Sequence, residues 1–264
     1  MTAIDALFDG TRAENRAALV GYLPAGFPDV ATSIAAIEAM VEVGVDLVEV
    51  GLPYSDPVMD GPVIQAAADQ ALAAGTRIKD VFDVVRSSAA TGAPTVVMTY
   101  WNPVERYGVD RFAADLAAAG GTGLITPDLI PDEATEWIAA SAAQGLDRVF
   151  LVAPSSTDER LAMTAEAASG FVYATAVMGV TGARETTSLA APTLVKRIRA
   201  VTDLPVGVGL GVSTGAQAAE VAAYADAVIV GSAIVRCLLD AVSPTAGIDA
   251  VRTLVRDLRA GVQR

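Results

Sequence analysis

The sequence predicts an α/β chain folded as a single (β/α)8 barrel of the TIM type, on three observations. Eight short apolar runs of strand length recur from end to end, helix-period segments lie between them, and the runs are spaced mostly by roughly 20 to 30 residues across a chain of 264 residues. Short continuous apolar runs suit strands buried on both faces, and repeated strand–helix units give a parallel sheet with helical cover. Eight units over this length favour a closed barrel over an open doubly wound sheet. Spacing alone leaves closure open.

In chain order, residues 1–14 read as an extra N-terminal helix that covers the bottom of the barrel. The expected strands follow at 18–22, 47–50, 95–100, 123–125, 148–152, 171–174, 205–208 and 227–230. Apolar residues recur at helical spacing over 31–43, 63–74, 110–119, 132–143, 157–168, 192–200 and 215–223, and 248–262 reads as a closing amphipathic helix. No composition shift or linker marks a second domain, so 1–264 is read as one barrel domain.

Composition narrows the chemistry. The formal charge of −13 argues against a nucleic-acid surface, so an anionic ligand has to be held by local groups. The lone cysteine, Cys237, allows no internal disulfide and fits a reducing cytoplasm. Residues 1–5 lack the basic and apolar regions of a signal peptide, and no apolar stretch reaches the ~18 residues of a membrane span. Histidine is absent, which excludes Ser-His-Asp triads, histidine bases and histidine-bound zinc. The two lysines, Lys79 and Lys196, sit in segments that read as exposed helices, not in pockets suited to a Schiff base. Chemistry is left mainly to Asp, Glu, Tyr and backbone dipoles.

Within the second strand, Leu47-Val48-Glu49-Val50, one acid interrupts an apolar run. A buried carboxylate is costly unless paired or protonated. Asp60 follows on a loop stiffened by Pro53, Pro57 and Pro62, and two carboxylates facing one pocket suit acid–base work. The alternatives are that Glu49 pairs with an arginine and that Asp60 forms a turn before Gly61. Tyr173, at the end of the sixth strand, is open to plain core packing. Trp101 and Trp137 read as structural or partner-facing, and Cys237 as an inert helix residue. In a barrel the chemistry sits on loops after the strands, and phosphates gather after the seventh and eighth. The Gly/Ser loops at 179–183, 207–213 and 231–234 therefore point to a phosphate at helix N-termini.

These motifs carry a resemblance. Residues 49–65, Glu-Val-Gly-Leu-Pro-Tyr-Ser-Asp-Pro-Val-Met-Asp-Gly-Pro-Val-Ile-Gln, resemble the signature of the tryptophan synthase alpha chain family, and 22–28, 98–103, 179–182, 207–213 and 231–232 extend the match along nearly the whole chain. One departure is Ala176-Val177-Met178, where many members carry Ser and further polar residues. The resemblance implies retro-aldol cleavage of indole-3-glycerol phosphate to indole and glyceraldehyde 3-phosphate. It places the acid–base role on Glu49, the second carboxylate on Asp60 and a substrate tyrosine on Tyr173. Tyr22 and Thr181 fall near the substrate, and Gly182, Gly211, Gly231 and Ser232 on its phosphate. Pro53, Asp56 and Asn102 match positions facing a beta chain in an α2β2 heterotetramer. That partner carries pyridoxal phosphate and receives indole through a tunnel; this chain itself is expected to hold no metal and no cofactor. Three rivals stay open: another phosphate-handling barrel, a non-catalytic subunit that only activates a beta-type partner, and a monomeric phosphate-binding module.

Overall fold

In the computed structural model, which describes residues 1–175, 190–209 and 211–264, eight parallel strands pair in sequence order and the last closes on the first. α1 (Ala3–Ala13) precedes β1 (Ala18–Pro24), α2 (Val30–Glu42) and β2 (Leu47–Gly51). Two helices, α3 (Pro62–Ala73) and α4 (Ile78–Ala90), lead to β3 (Thr95–Met98). α5 (Trp101–Tyr107) and α6 (Val109–Ala118) lead to β4 (Gly123–Thr126), and a 3-10 turn (Pro131–Glu133) precedes α7 (Thr135–Gln144). The chain continues through β5 (Asp147–Val152), α8 (Asp158–Ala167), β6 (Val172–Thr175), α9 (Ala190–Arg199) and β7 (Val206–Gly209). It ends with α10 (Gly215–Ala222), β8 (Ala227–Val230), α11 (Ser232–Leu239) and α12 (Pro244–Gly261).

The expected barrel is therefore the observed one, with strand bounds moved by a residue or two. Three expectations need correction. Over 132–143 the chain forms a 3-10 turn and then a separate helix, because it enters at Pro131 and Ala134 leaves the turn outside ideal helical geometry at φ −90°, ψ 12°. The third strand ends at Met98, and Tyr100 is the N-cap residue of α5. Gly209 lies in β7 rather than in a loop after it, while Gly207 lies in the strand that 205–208 predicts.

Alternation along the strands divides the core in two. Ala18, Val20, Leu47, Val96, Ile125, Val149, Ala227 and Ile229 fill the barrel interior together with Phe171. Ile4 and Phe8 of α1 join them from below, Phe8 stacking on Phe171 with ring centroids 5.9 Å apart, so α1 covers the bottom as its sequence implied. Residues of opposite parity, such as Leu19, Val48, Val97 and Leu124, pack outward against the helices. Trp137 is fully buried among these outer contacts, which makes it structural. Ala17 N–H bonds to Val262 O at 3.0 Å, and Arg16 bridges to Gln263, fastening the chain's ends beside the β1–β8 seam. Among the described residues no helix is long and apolar enough to cross a membrane.

Candidate active site

β2 carries Glu49 on the inward parity, beside Tyr22 of β1 and Val96 of β3 in register. The glutamate is 1% exposed, and its Oε2 has no hydrogen-bond partner among the described residues. Burial, and after it the charge of Asp60, push its pKa up to about 8. No cation is among those causes, so the alternative of a structural arginine pair finds no support here. Glu49 thus holds its proton at neutral pH.

Asp60 stands just before Gly61, the N-cap residue of α3, whose Pro62 occupies the first helical turn. Gln65 donates to its backbone carbonyl at 2.7 Å, which pins the end of the loop. Its Oδ1 accepts a 3.1 Å hydrogen bond from the Tyr100 hydroxyl. Burial raises the Asp60 pKa, and that hydrogen bond works against the rise. Since its charge is one of the causes acting on Glu49, Asp60 ionises first and Glu49 second. A carboxyl that keeps its proton longer beside one that gives it up first is the arrangement acid–base chemistry needs.

Two inward tyrosines flank the pair. Tyr22 and Tyr173 are half-buried in the chain, and both have pKa values well above the usual range. Burial is the first cause for each; Asp60 and then Glu49 add to it for Tyr22, and Glu49 for Tyr173. Both remain neutral phenols. Each lies over a glycine: a Cβ on Gly51 would fall 2.7 Å from Tyr22 Cζ, and one on Gly209 would fall 3.0 Å from Tyr173 Cε1. These glycines serve the close approach of a ring, which a turn reading of Gly209 did not foresee.

The phosphate expectation divides. Thr181 and Gly182 lie outside the described residues. Gly211 has a left-handed φ of +68°. Beyond it, Ser213 N–H bonds to Gln217 Oε1 at 2.8 Å, Thr214 caps α10, and Gly215 N–H bonds to Asp257 at 2.6 Å. The α10 terminus is thus satisfied by its own surroundings. α11 differs: its N-cap is Gly231, with no side-chain cap, followed by buried Ser232. Among the described residues no side chain caps this turn, so its backbone N–H groups are placed to meet an anion.

Of the residues expected to face a partner, Asp56 and Asn102 are exposed, whereas Pro53 is buried beneath a surface groove of about 520 Å³. Ser55 Oγ donates to Asp56 at 2.5 Å, and Asn102 Nδ2 donates to the Tyr54 hydroxyl at 3.1 Å. Val58, on the same loop, is 70% exposed. Lys79 and Lys196 are both exposed on their helices, and Cys237 lies half-buried on α11 with its thiol near Ala233 O. Among the described residues no group of three or more acids and cysteines is gathered as a metal site.

Sequence reasoning missed Tyr54 and Tyr100. Tyr100 left one signal: it shares the parity of Val96 and Met98, the residues that point inward from β3.

The buried acid also predicts a pH effect on stability. Glu49 titrates near 4.5 when unfolded and near 8 when folded, so the native state binds more protons between those values. Its stabilising effect is whole below about pH 4.5 and is lost as pH rises through about 8, at ~1.4 kcal/mol per pH unit traversed. Denaturant titrations at pH 6 and pH 9 should show wild type losing stability and Glu49→Gln losing much less. Equal losses in the two proteins would refute the buried neutral acid.

Comparisons with known proteins converge on one family and one fold. The profile of the family described as "Tryptophan synthase alpha chain" matches residues 8–263. The tryptophan synthase alpha chain of Salinispora arenicola (strain CNS-205) is 68% identical over 263 residues, covering 100% of this chain and 98% of the relative. That of Acidothermus cellulolyticus is 63% identical over 264 residues, again covering 100% and 98%. Among solved structures, Mycobacterium tuberculosis tryptophan synthase superposes with a TM-score of 0.94 at 59% identity, covering 100% of this chain and 99% of that one. The Legionella pneumophila (strain Paris) tryptophan synthase alpha subunit does so with a TM-score of 0.87 at 33% identity, covering 99% and 98%.

Proposed function

Since the chain belongs to the tryptophan synthase alpha chain family and is a lyase of tryptophan synthesis, we propose that Glu49 and Asp60 divide the cleavage of indole-3-glycerol phosphate between them. The observation that carries this reading is Glu49 itself: an inward, enclosed carboxyl whose Oε2 has no partner atom among the described residues, protonated to about pH 8, beside a second carboxyl that ionises before it.

The chemistry follows from those two states. Glu49 gives its proton to indole C3, which turns the ring into an electron sink. Asp60, negative, faces the positive charge that develops at the indole nitrogen. The Glu49 carboxylate then takes the proton of the glycerol hydroxyl next to the scissile bond. The C–C bond breaks, its electron pair returns to the ring, and indole and glyceraldehyde 3-phosphate result with Glu49 protonated again. A pKa close to working pH serves both transfers. Tyr22 and Tyr173 line the indole and glycerol moieties. The α11 terminus at Gly231 and Ser232 holds the phosphate, together with Gly211 and Gly182, and Thr181 meets the substrate.

The chain works with a tryptophan synthase beta chain. We read the assembly as α2β2, with pyridoxal phosphate held by the beta chain, a location in the cytoplasm and residues 1–264 forming one barrel domain. Asp56 and Asn102 would face the partner directly, and Pro53 through the groove above it. Purified chain incubated with indole-3-glycerol phosphate should release indole slowly, and faster once a beta chain is added. No release under either condition, with beta-chain activation intact, would replace this reading with that of a purely regulatory subunit.

A further inference from the structure

Tyr100 follows the end of β3 and opens α5, yet its side chain caps nothing there. It crosses instead to the loop between β2 and α3. Its hydroxyl accepts from Met59 N–H at 3.0 Å and donates to Asp60 Oδ1 at 3.1 Å. A phenol has one proton, and with Met59 occupying a lone pair that proton is aimed at the carboxylate. Burial and the neighbouring Asp60 charge hold the Tyr100 pKa well above its usual range, so it stays a donor at any working pH. The ring is 5% exposed and packs on Tyr54 with centroids 5.4 Å apart, and the Tyr54 hydroxyl is held by exposed Asn102. A run of contacts thus joins a surface amide to the second carboxylate of the site.

We propose that Tyr100 is a positioning residue for Asp60, fixing its carboxylate toward the substrate's ring nitrogen and keeping it anionic, with Tyr54 and Asn102 holding Tyr100 in place. The proposal rests on the role given to Asp60 above. The ionisable groups that face Asp60 are Tyr22 from β1, Glu49 from β2 and Tyr100 itself. Of these, only Tyr100 donates to its carboxylate among the described residues. A charge-assisted hydrogen bond of this kind favours the ionised form.

Tyr100→Phe keeps the ring and its packing on Tyr54 while deleting the donor. Assayed by indole release beside Asp60→Asn, with and without a beta chain, it should lower kcat about 10–100-fold with little change in KM. The acid limb of its kcat–pH profile should move up by about one pH unit, as Asp60 keeps its proton longer. Tyr54→Phe, which retains the stack but loses the Asn102 bond, should show a smaller shift in the same direction. Wild-type kcat and an unmoved acid limb in Tyr100→Phe, with Asp60→Asn inactive, would overturn the proposal and leave the role of Asp60 standing. So would a kcat loss with an unmoved limb in a protein of lowered unfolding midpoint, which would mark a structural residue only. Near-normal turnover by Asp60→Asn would instead overturn the role of Asp60 and this proposal with it.

Discussion

Glu49→Gln is expected to lower kcat for indole release by about 10³-fold or more, while a glycerol phosphate analogue binds within about twofold of wild type. The substitution is nearly isosteric at a site that is 1% exposed, so it removes the proton and the charge without opening a cavity. At neutral pH the native acid is already uncharged, and the amide therefore replaces one neutral group by another. What it cannot do is give a proton to carbon and then recover one from a hydroxyl. Phosphate binding should be untouched, because the α11 terminus proposed to hold it lies at the end of β8. Turnover within tenfold of wild type would remove Glu49 from the reaction.

Asp60→Asn is expected to cost about 10²–10³-fold in kcat, the usual loss when a preorganised charge partner of the transition state is removed. It should also change the pH profile in a way that Glu49→Gln cannot. If Glu49 donates the proton, wild-type activity should fall above about pH 8 as Glu49 loses it, and should fall in acid as Asp60 gains one. Asp60's charge is the second cause holding Glu49 up, so deleting it should draw the alkaline limb of the residual activity to lower pH. An alkaline limb that stays near pH 8 in Asp60→Asn would mean the two carboxyls do not sense each other. Stopped assays of indole across the range give both the loss and the limb.

Much of this is legible in the sequence. Parallel strands buried on both faces must be apolar throughout, so all eight stood out as runs, and a lone acid inside one of them, Glu49, was conspicuous for the same reason. Asp60 was visible only as a proline-flanked acid, with a turn as the rival reading. Its actual partner, Tyr100, lies 40 residues further on, and no local pattern encodes which side chain crosses from β3 to the β2 loop. Gly209 misled because glycine reads locally as a turn. Here the requirement is set by a neighbour on the adjacent strand, Tyr173 against Gly209. The break before α7 was likewise misjudged, since 132–143 has an unbroken helical period and only Pro131 hints at the separate turn.

The seam between β1 and β8 has a consequence for how the molecule is made. β1 can take up β2 as soon as that strand exists, but its other edge is answered only by Ala227–Val230. At about 5–20 residues per second of synthesis, the residues in between take roughly 10–40 s to arrive. Throughout that time an unpaired parallel edge, the kind that recruits foreign strands, stays open. Tyr22 waits on the early strand while Gly231, which it comes to lie against, follows the late one. The pocket is thus among the last features of the nascent chain to exist.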